Sequence, residues 1–321
     1  TLTPMPAMLR LGTRAPGLGD AQSMRKVYRL GDVTPDRMTG AREKVLEVLR
    51  DYGGLSFTLG EVAEMAGVGT SVVKGLVKLG AVSEEEAPRD TAYPRLDPDY
   101  GGKELSADQA IGAEALRASL RTDSYGTTLL KGVTGSGKTE VYLEAVAECL
   151  RMGRQALVLL PEIALSGEFI NRVEARFGMK PAEWHSGVTM TERRRCWRMV
   201  GQGDAQLVVG ARSALFLPYQ NLGLIVVDEE HDTSYKQEDG VLYNARDMAV
   251  LRAAINGAQV VLASATPSLE SWANVEAGKY TRLELTSRFG AAVMPTMDAI
   301  DMRAEDLPGG RWVSPTLRAA I

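Results

Sequence analysis

Apolar positions recur along this chain in two different periods, and the change from one to the other divides it. Over residues 40–51, Val45, Leu46, Val48 and Leu49 fall on one helical face, with Arg42, Glu43, Glu47 and Arg50 off it. The pattern resumes over residues 59–76 on either side of a glycine. Val62 and Ala66 share a face, small Ala63 permits close helix approach, Gly67 permits a tight turn, and Val68, Val73 and Leu76 supply the contacts of a second helix. This predicts a helix-turn-helix inside a small winged-helix domain over residues 37–100. Beyond residue 100 the texture changes. Short apolar runs at 127–131, 156–160, 207–209, 224–227 and 260–263 alternate with helical segments, which predicts an α/β domain with a parallel sheet. Residues 1–36 carry Pro4, Pro6, Pro16, Gly17 and Gly19 and no sustained helical period, so they read as a linker or the remnant of a preceding domain.

Composition narrows the class. The chain has 321 residues, 45% hydrophobic and 24% charged, which fits two soluble globular domains rather than disorder or a fibre. No apolar run is long enough to span a bilayer, and the first residues lack the basic and apolar blocks of a signal peptide, so a cytoplasmic protein with no membrane partner is expected. Thr1 is not an initiator Met. Ser314 and Pro315 read as the N-cap and first residue of a helix that reaches Ile321 without a C-cap, so the ends read as those of a fragment. The net charge of −4 excludes a uniformly basic DNA-coating protein and leaves room for a local basic track. Cys149 and Cys196 are too few for a disulfide framework or a zinc site, with only His185 and His231 to assist, and are expected to be packed in the core. In the helix-turn-helix, the second helix offers Lys74 and Lys78 but no Arg, Asn or Gln for bidentate base contacts, and Glu84, Glu85 and Glu86 would repel phosphate. Packing or weak non-specific DNA contact therefore fits that unit better than sequence reading.

The chemistry concentrates in three short segments. Gly132-Val133-Thr134-Gly135-Ser136-Gly137-Lys138-Thr139 matches the P-loop pattern in full, between a predicted strand and a helix. Glycines let backbone N–H groups turn around a triphosphate at a helix N-terminus, Lys138 would neutralise the β- and γ-phosphates, and the Thr139 hydroxyl would ligate Mg²⁺. The helix that follows is expected to bury Leu143, Val146, Ala147 and Leu150 and to turn Glu140, Glu144 and Glu148 to water. The apolar run 224–227 delivers Asp228 to the carboxyl edge of the sheet to hold the metal, with Glu229 beside it to polarise an attacking water; the pair favours hydrolysis over phosphotransfer. On the next strand, Ser264 and Thr266 are small hydroxyls able to reach the acidic segment or His231.

These segments together resemble the superfamily 2 helicases, and more closely the PriA family of bacterial replication-restart helicases (primosomal protein N′). The likeness is carried by residues 132–143, by Leu160-Pro161-Glu162-Ile163, by residues 210–216, by 228–232 running into 234–237, by 243–249 and by 264–268. It implies a RecA-like ATP-binding lobe over residues 101–300, a truncated connection over 301–321 toward a second lobe, and ATP and Mg²⁺ as cofactors. It also implies single-stranded and forked DNA, primosome proteins and single-strand-binding proteins as partners of a monomeric protein. Lys138, Asp228, Glu229, His231, Ser264 and Thr266 would be catalytic. Gln109 would contact adenine, unless it is an ordinary polar helix-start residue. Arg212 and Ser213 would touch the backbone of single-stranded DNA. Residues 231–246 resemble an aromatic-rich loop that links DNA binding to hydrolysis. There Tyr235 and Tyr243 can stack on bases and Lys236 and Arg246 can neutralise phosphates, with solvated loop packing as the rival. Trp184-His185-Ser186 and Arg193-Arg194-Arg195-Cys196-Trp197 belong to the likeness without an assignable role; the arginines form either a DNA track or a helix face.

Three departures qualify the resemblance. Ala211 replaces a threonine, Ser166-Gly167-Glu168 replaces a Thr-Pro-Gln-like segment, and the chain ends before the family's second lobe, its arginine finger and its zinc-binding cysteines. Zinc is therefore expected only beyond Ile321, and this stretch alone is expected to bind ATP weakly and hydrolyse it slowly. The alternative function is a winged-helix P-loop ATPase serving as a nucleotide-dependent regulatory switch or interaction platform. Ser264-Ala265-Thr266 counts against it, because AAA+ switches place an Asn at that strand end.

Overall fold

Strands and helices follow the two hydrophobic periods in a computed structural model that describes residues 21, 23–52, 55–161, 167–286, 299–301, 303 and 313–320. Strand β1 (Met24–Leu30) comes first, then helices α1 (Gly40–Asp51), α2 (Leu59–Met65) and α3 (Thr70–Lys78), then β2 (Val82–Pro88). A capping box starts α2, with Thr58 N–H donating to Glu61 at 2.6 Å. Gly67, at φ +61°, makes the turn into α3. Val45, Leu46, Leu49, Val62, Val73 and Leu76 form the core of this unit.

One boundary needs correction. Residues 24–30 belong to this unit and not to a linker: β1 pairs antiparallel with β2 from Met24 opposite Pro88 to Leu30 opposite Val82. This seven-residue strand buries only the adjacent Val27 and Tyr28, so it carries neither an alternating nor a helical pattern to read. The pairing also changes the meaning of the acidic triplet, since Lys26 and Arg29 of β1 form ion pairs with Glu84 and Glu85. Residues 1–20 lie outside the described residues.

The second unit runs α4 (Ala107–Arg121), β3 (Gly126–Gly132), α5 (Lys138–Arg151), β4 (Gln155–Leu159), α6 (Gly167–Phe177), β5 (Ala182–Trp184), α7 (Met190–Gln202), β6 (Leu207–Gly210) and β7 (Leu222–Asp228). After a short ribbon of β8 (Lys236–Gln237) and β9 (Tyr243–Asn244) come α8 (Ala245–Asn256), β10 (Gln259–Ser264), α9 (Leu269–Glu276), β11 (Thr281–Leu285) and α10 (Pro315–Ala320). Seven strands form one parallel sheet in the order β11-β3-β10-β7-β4-β6-β5. All five apolar runs are strands of it. The short edge strands β5 and β11 carried no comparable run.

Period-two alternation sends side chains to two faces. Leu224 and Val226 join a core with Leu116, Val141, Val146 and Phe177 on the α4, α5 and α6 side. Ile225 and Val227 join Trp184, Met199, Ala249 and Leu262 on the α7 and α8 side. Cys149 and Cys196 lie in these two separate cores, and burial pushes both thiols up to about 12, so they are inert packing residues.

A second expectation fails at α5. Glu144 and Glu148 are buried, not solvated, because α4 and α6 cover that face and bring arginines to it. Arg117 and Arg176 pair with Glu144, and Arg121 and Arg151 with Glu148. Burial raises the Glu144 carboxyl, and the two guanidinium groups more than reverse it, leaving it below the usual carboxylate range.

Candidate functional site

Strand order gathers the motifs. Because β10 pairs with β3 on one side and β7 on the other, the carboxyl ends of β3, β7 and β10 are neighbours. Ala263 lies opposite Asp228, and Ser264 lies opposite Lys131, the residue before Gly132. Carboxyl ends of parallel strands are where α/β sheets receive ligands.

The loop after β3 has the conformation its glycines were chosen for. Gly135 and Gly137 both sit in the left-handed region, at φ +79° and +81°, and Gly137 caps α5 so that Lys138 and Thr139 open the helix. Lys138 is nearly buried and donates to Gly132 O at 2.9 Å across the loop. Gln109 props the loop from below: its Oε1 accepts Ser106 N–H at 2.9 Å in a capping box, and its Nε2 donates to Ser136 O at 2.8 Å. The structure thus uses Gln109 as a helix-start residue that also supports the P-loop. A cavity of about 330 Å³ opens over this loop, lined by Gln109, Thr134, Gly135, Gly137, Lys138, Thr139, Asp228 and Glu229. Lys103, Glu104, Glu140 and Arg172 complete the lining. Glu140 adjoins the P-loop in sequence, whereas only proximity in space reveals Lys103 and Glu104, from the segment before α4, and Arg172, from α6.

Asp228 ends β7 inside the sheet edge. Burial pushes its carboxyl up, against the pull of the hydrogen bond that Tyr142 donates to Oδ2 at 2.9 Å. Its Oδ1 accepts Glu229 N–H at 3.0 Å, and Glu229 adopts φ +47°, a left-handed conformation that costs about 1–3 kcal/mol for a residue with a Cβ. Ser264 Oγ lies 2.8 Å from His231 Nδ1 and accepts Thr266 N–H at 3.0 Å. The third strand therefore reaches the acidic segment through Ser264, and Thr266 joins by its backbone. Glu230 was missed by the sequence reading. It is buried and accepts from Ser268 N and Oγ at 2.7 and 2.9 Å and from Ser271 Oγ at 2.8 Å.

No group of three or more His, Cys, Asp or Glu able to hold a metal occurs among the described residues. Within the cavity lining, the Thr139 hydroxyl and the Asp228 carboxylate are hard oxygens next to the phosphate cradle. Mg²⁺ is ordinarily bound in that way, by one or two carboxylates with substrate phosphates and water, so the residues fit it.

Two residues expected on DNA are placed elsewhere. Tyr235 is 1% exposed, and its hydroxyl lies 2.6 Å from Asp228 O and 3.0 Å from Leu159 O, so no base can stack on it. Arg246 is buried at the start of α8, donating to Ser268 Oγ at 2.6 Å and pairing with Glu230 at 3.4 Å and Asp247 at 2.9 Å, so its charge is spent inside the fold. Lys236 is exposed and pairs with Glu238. Arg212 donates to Lys236 O at 2.8 Å, and Tyr243 meets Phe216 edge-on with centroids 5.2 Å apart. Ser213 Oγ accepts Trp184 Nε1–H at 3.0 Å, which gives Trp184 a part in shaping that segment. Glu162, Ile163 and Ser166 lie outside the described residues.

The arginines of α7 clamp the chain that leads from the first unit. Arg194 and Arg198 hold buried Asp90 at 3.0 and 2.8 Å, and Arg195 donates to Thr91 O at 2.7 Å and Ala92 O at 3.1 Å. Tyr93 OH donates to Glu192 at 2.7 Å. Of the two readings left open for Arg193, Arg194 and Arg195, these contacts favour the helix face for Arg194 and Arg195.

Comparison with known proteins agrees with the motif order. Replication restart protein PriA of Rickettsia felis (strain ATCC VR-1525 / URRWXCal2) is 48% identical over 251 residues, 76% of this chain and 38% of that protein. PriA of Bacillus subtilis (strain 168) is 40% identical over 278 residues, 86% of this chain and 34% of that protein. The chain therefore spans little more than a third of the length of the curated relatives it matches. A solved structure of RecG bound to a three-way DNA junction has 20% identity and a TM-score of 0.46, covering 60% of this chain and 25% of that one. The sequence profile of the DEAD/DEAH box helicases matches residues 110–275, the span that holds the carboxyl ends of β3, β7 and β10, and the chain belongs to that family.

Proposed function

We propose that this chain is an ATP-binding motor lobe of a DNA helicase that acts in replication restart. The observation that carries the reading is the convergence of Lys138, Thr139, Asp228 and Glu229 on one cavity, beside the His231–Ser264 contact. Lys138 leaves Gly132 O to neutralise the β- and γ-phosphates, while the loop N–H groups receive their oxygens. Thr139 and Asp228 would hold Mg²⁺, which would supply charge neutralisation to the phosphates. Glu229 orients and polarises the attacking water. Gln109 meets the base with the amide N–H that Ser136 leaves free. His231 and Ser264 relay the state of the acidic segment to the third strand end.

Single-stranded DNA crosses the same sheet edge, at Arg212, Ser213, Lys236 and Tyr243. The contact between Arg212 and Lys236 O supports this, because it joins the two candidate DNA segments directly. Partner proteins of replication restart, and the first unit's weak DNA contact, belong to the same proposal.

Replacing Lys138 by Ala tests the core of it. Fluorescent ATP-analogue binding is expected to be lost in Lys138→Ala; wild-type affinity in that variant would refute the phosphate site.

A further inference from the structure

Tyr142 has no role in the reading so far, yet it touches both halves of the cavity. It lies on α5, three residues after Thr139, so the helix turn that presents Thr139 presents Tyr142 behind it. The side chain is completely buried among Val141, Leu143 and Val146. A phenylalanine would satisfy that packing, and a buried hydroxyl costs free energy unless it is hydrogen-bonded. Here the hydroxyl donates to Asp228 Oδ2 at 2.9 Å. From the other core, Tyr235 holds the Asp228 main chain through its carbonyl at 2.6 Å. Tyrosine hydroxyls on opposite faces of the sheet thus fix the side chain and the backbone of one aspartate.

We propose that Tyr142 is a positioning residue that sets the orientation of the Asp228 carboxylate relative to Thr139 and thereby tunes capture of a metal–nucleotide complex. The inference rests on the nucleotide-site reading above. A carboxylate that accepts a fixed phenol hydrogen bond keeps one rotamer, whereas a freed one must be ordered each time the metal arrives. One rigid helix carries Lys138, Thr139 and Tyr142, so the same element that cradles phosphate also aims the carboxylate across from it.

The test is the binding of a fluorescent ATP analogue to the full chain, in EDTA and across a Mg²⁺ titration. Tyr142→Phe is expected to keep its EDTA affinity within about twofold and to raise the Mg²⁺ midpoint about tenfold, the scale of one charge-assisted hydrogen bond. 3-Fluorotyrosine at position 142 keeps the phenol hydroxyl in place as a donor and is expected to stay within about threefold of wild type on the same scale. An unchanged midpoint in Tyr142→Phe overturns the proposal. Should the Phe variant not fold, a 3-fluorotyrosine protein whose midpoint rises tenfold with its hydroxyl still present overturns it equally. Loss of binding in Lys138→Ala beside an unchanged Tyr142→Phe removes this inference alone, whereas intact binding in Lys138→Ala removes the site and the inference together.

Discussion

Glu229 and Glu230 are neighbours in sequence with opposite surroundings. Glu229 lines the cavity at φ +47°, while Glu230 is 2% exposed and is held by Ser268, Ser271 and Arg246. The left-handed turn at Glu229 is what separates them, since an extended residue there would continue β7. Glu229→Gln is expected to slow ATP hydrolysis by about 10²–10⁴-fold with nucleotide affinity retained. Glu230→Ala is expected to cost about 1–3 kcal/mol of stability by leaving the buried Ser268 and Ser271 donors without their acceptor. Phosphate release and thermal unfolding separate the two, and a stable Glu230→Ala would sink the assignment.

The loop before α5 leaves no room for a side chain at residue 137. A Cβ there would stand 2.3 Å from Gln109 Nε2, on a backbone already at φ +81°. Gly137→Ala is expected to cost about 1–2 kcal/mol for the left-handed residue alone. Displacement of Gln109 adds to that, and ATP-analogue affinity should fall with it. Isothermal titration would show wild-type affinity if the loop tolerates the methyl.

Tyr243 and Tyr235 should behave differently on DNA. Tyr243→Ala is expected to weaken single-strand binding by about 1–3 kcal/mol, read by anisotropy of a labelled oligonucleotide. Tyr235→Phe removes a buried hydroxyl from the Asp228 carbonyl and should lower stability by about 1 kcal/mol without that loss of stacking. Equal DNA defects in both would contradict the burial of Tyr235.

Asp90 carries a pH signature. Hydrogen bonding from Arg194, reinforced by the charges of Arg194 and Arg198, holds its carboxyl below its ordinary 3.8. A lowered folded value means that the pairing contributes fully above the unfolded value and is lost as pH falls through the folded one. Asp90→Asn is expected to cost about 3 kcal/mol at neutral pH. The gap to wild type should narrow only below pH about 4. Denaturant melts at several pH values check it; a gap that persists undiminished into that acid range would exclude the ion pair as its source.

Breaking the contact between the second and third motifs should uncouple rather than disable. Ser264→Ala leaves the phosphate cradle intact and removes the partner of His231. ATP affinity is expected to stay near wild type while any stimulation of hydrolysis by single-stranded DNA falls. A steady-state assay with and without oligonucleotide would show unchanged stimulation if that contact carries no signal.

Local rules determined much of this protein by sequence alone. Five apolar runs became five strands, Gly67, Gly135 and Gly137 took the positive φ that only their missing Cβ makes easy, and the P-loop stood where a strand meets a helix. Those features depend on a few consecutive residues, so a single chain read linearly reveals them. Tertiary structure alone decided the rest. Strand order set β10 between β3 and β7 and so placed the third motif beside the two that line the cavity. Helix packing turned Glu144 and Glu148 from solvated charges into buried ion pairs, drew Tyr235 and Arg246 inside, and assigned three arginines of α7 to residues 90–92. A tyrosine or arginine has the same character in the sequence whether it faces a base or a carbonyl; what it does depends on the partner that folding brings from far along the chain.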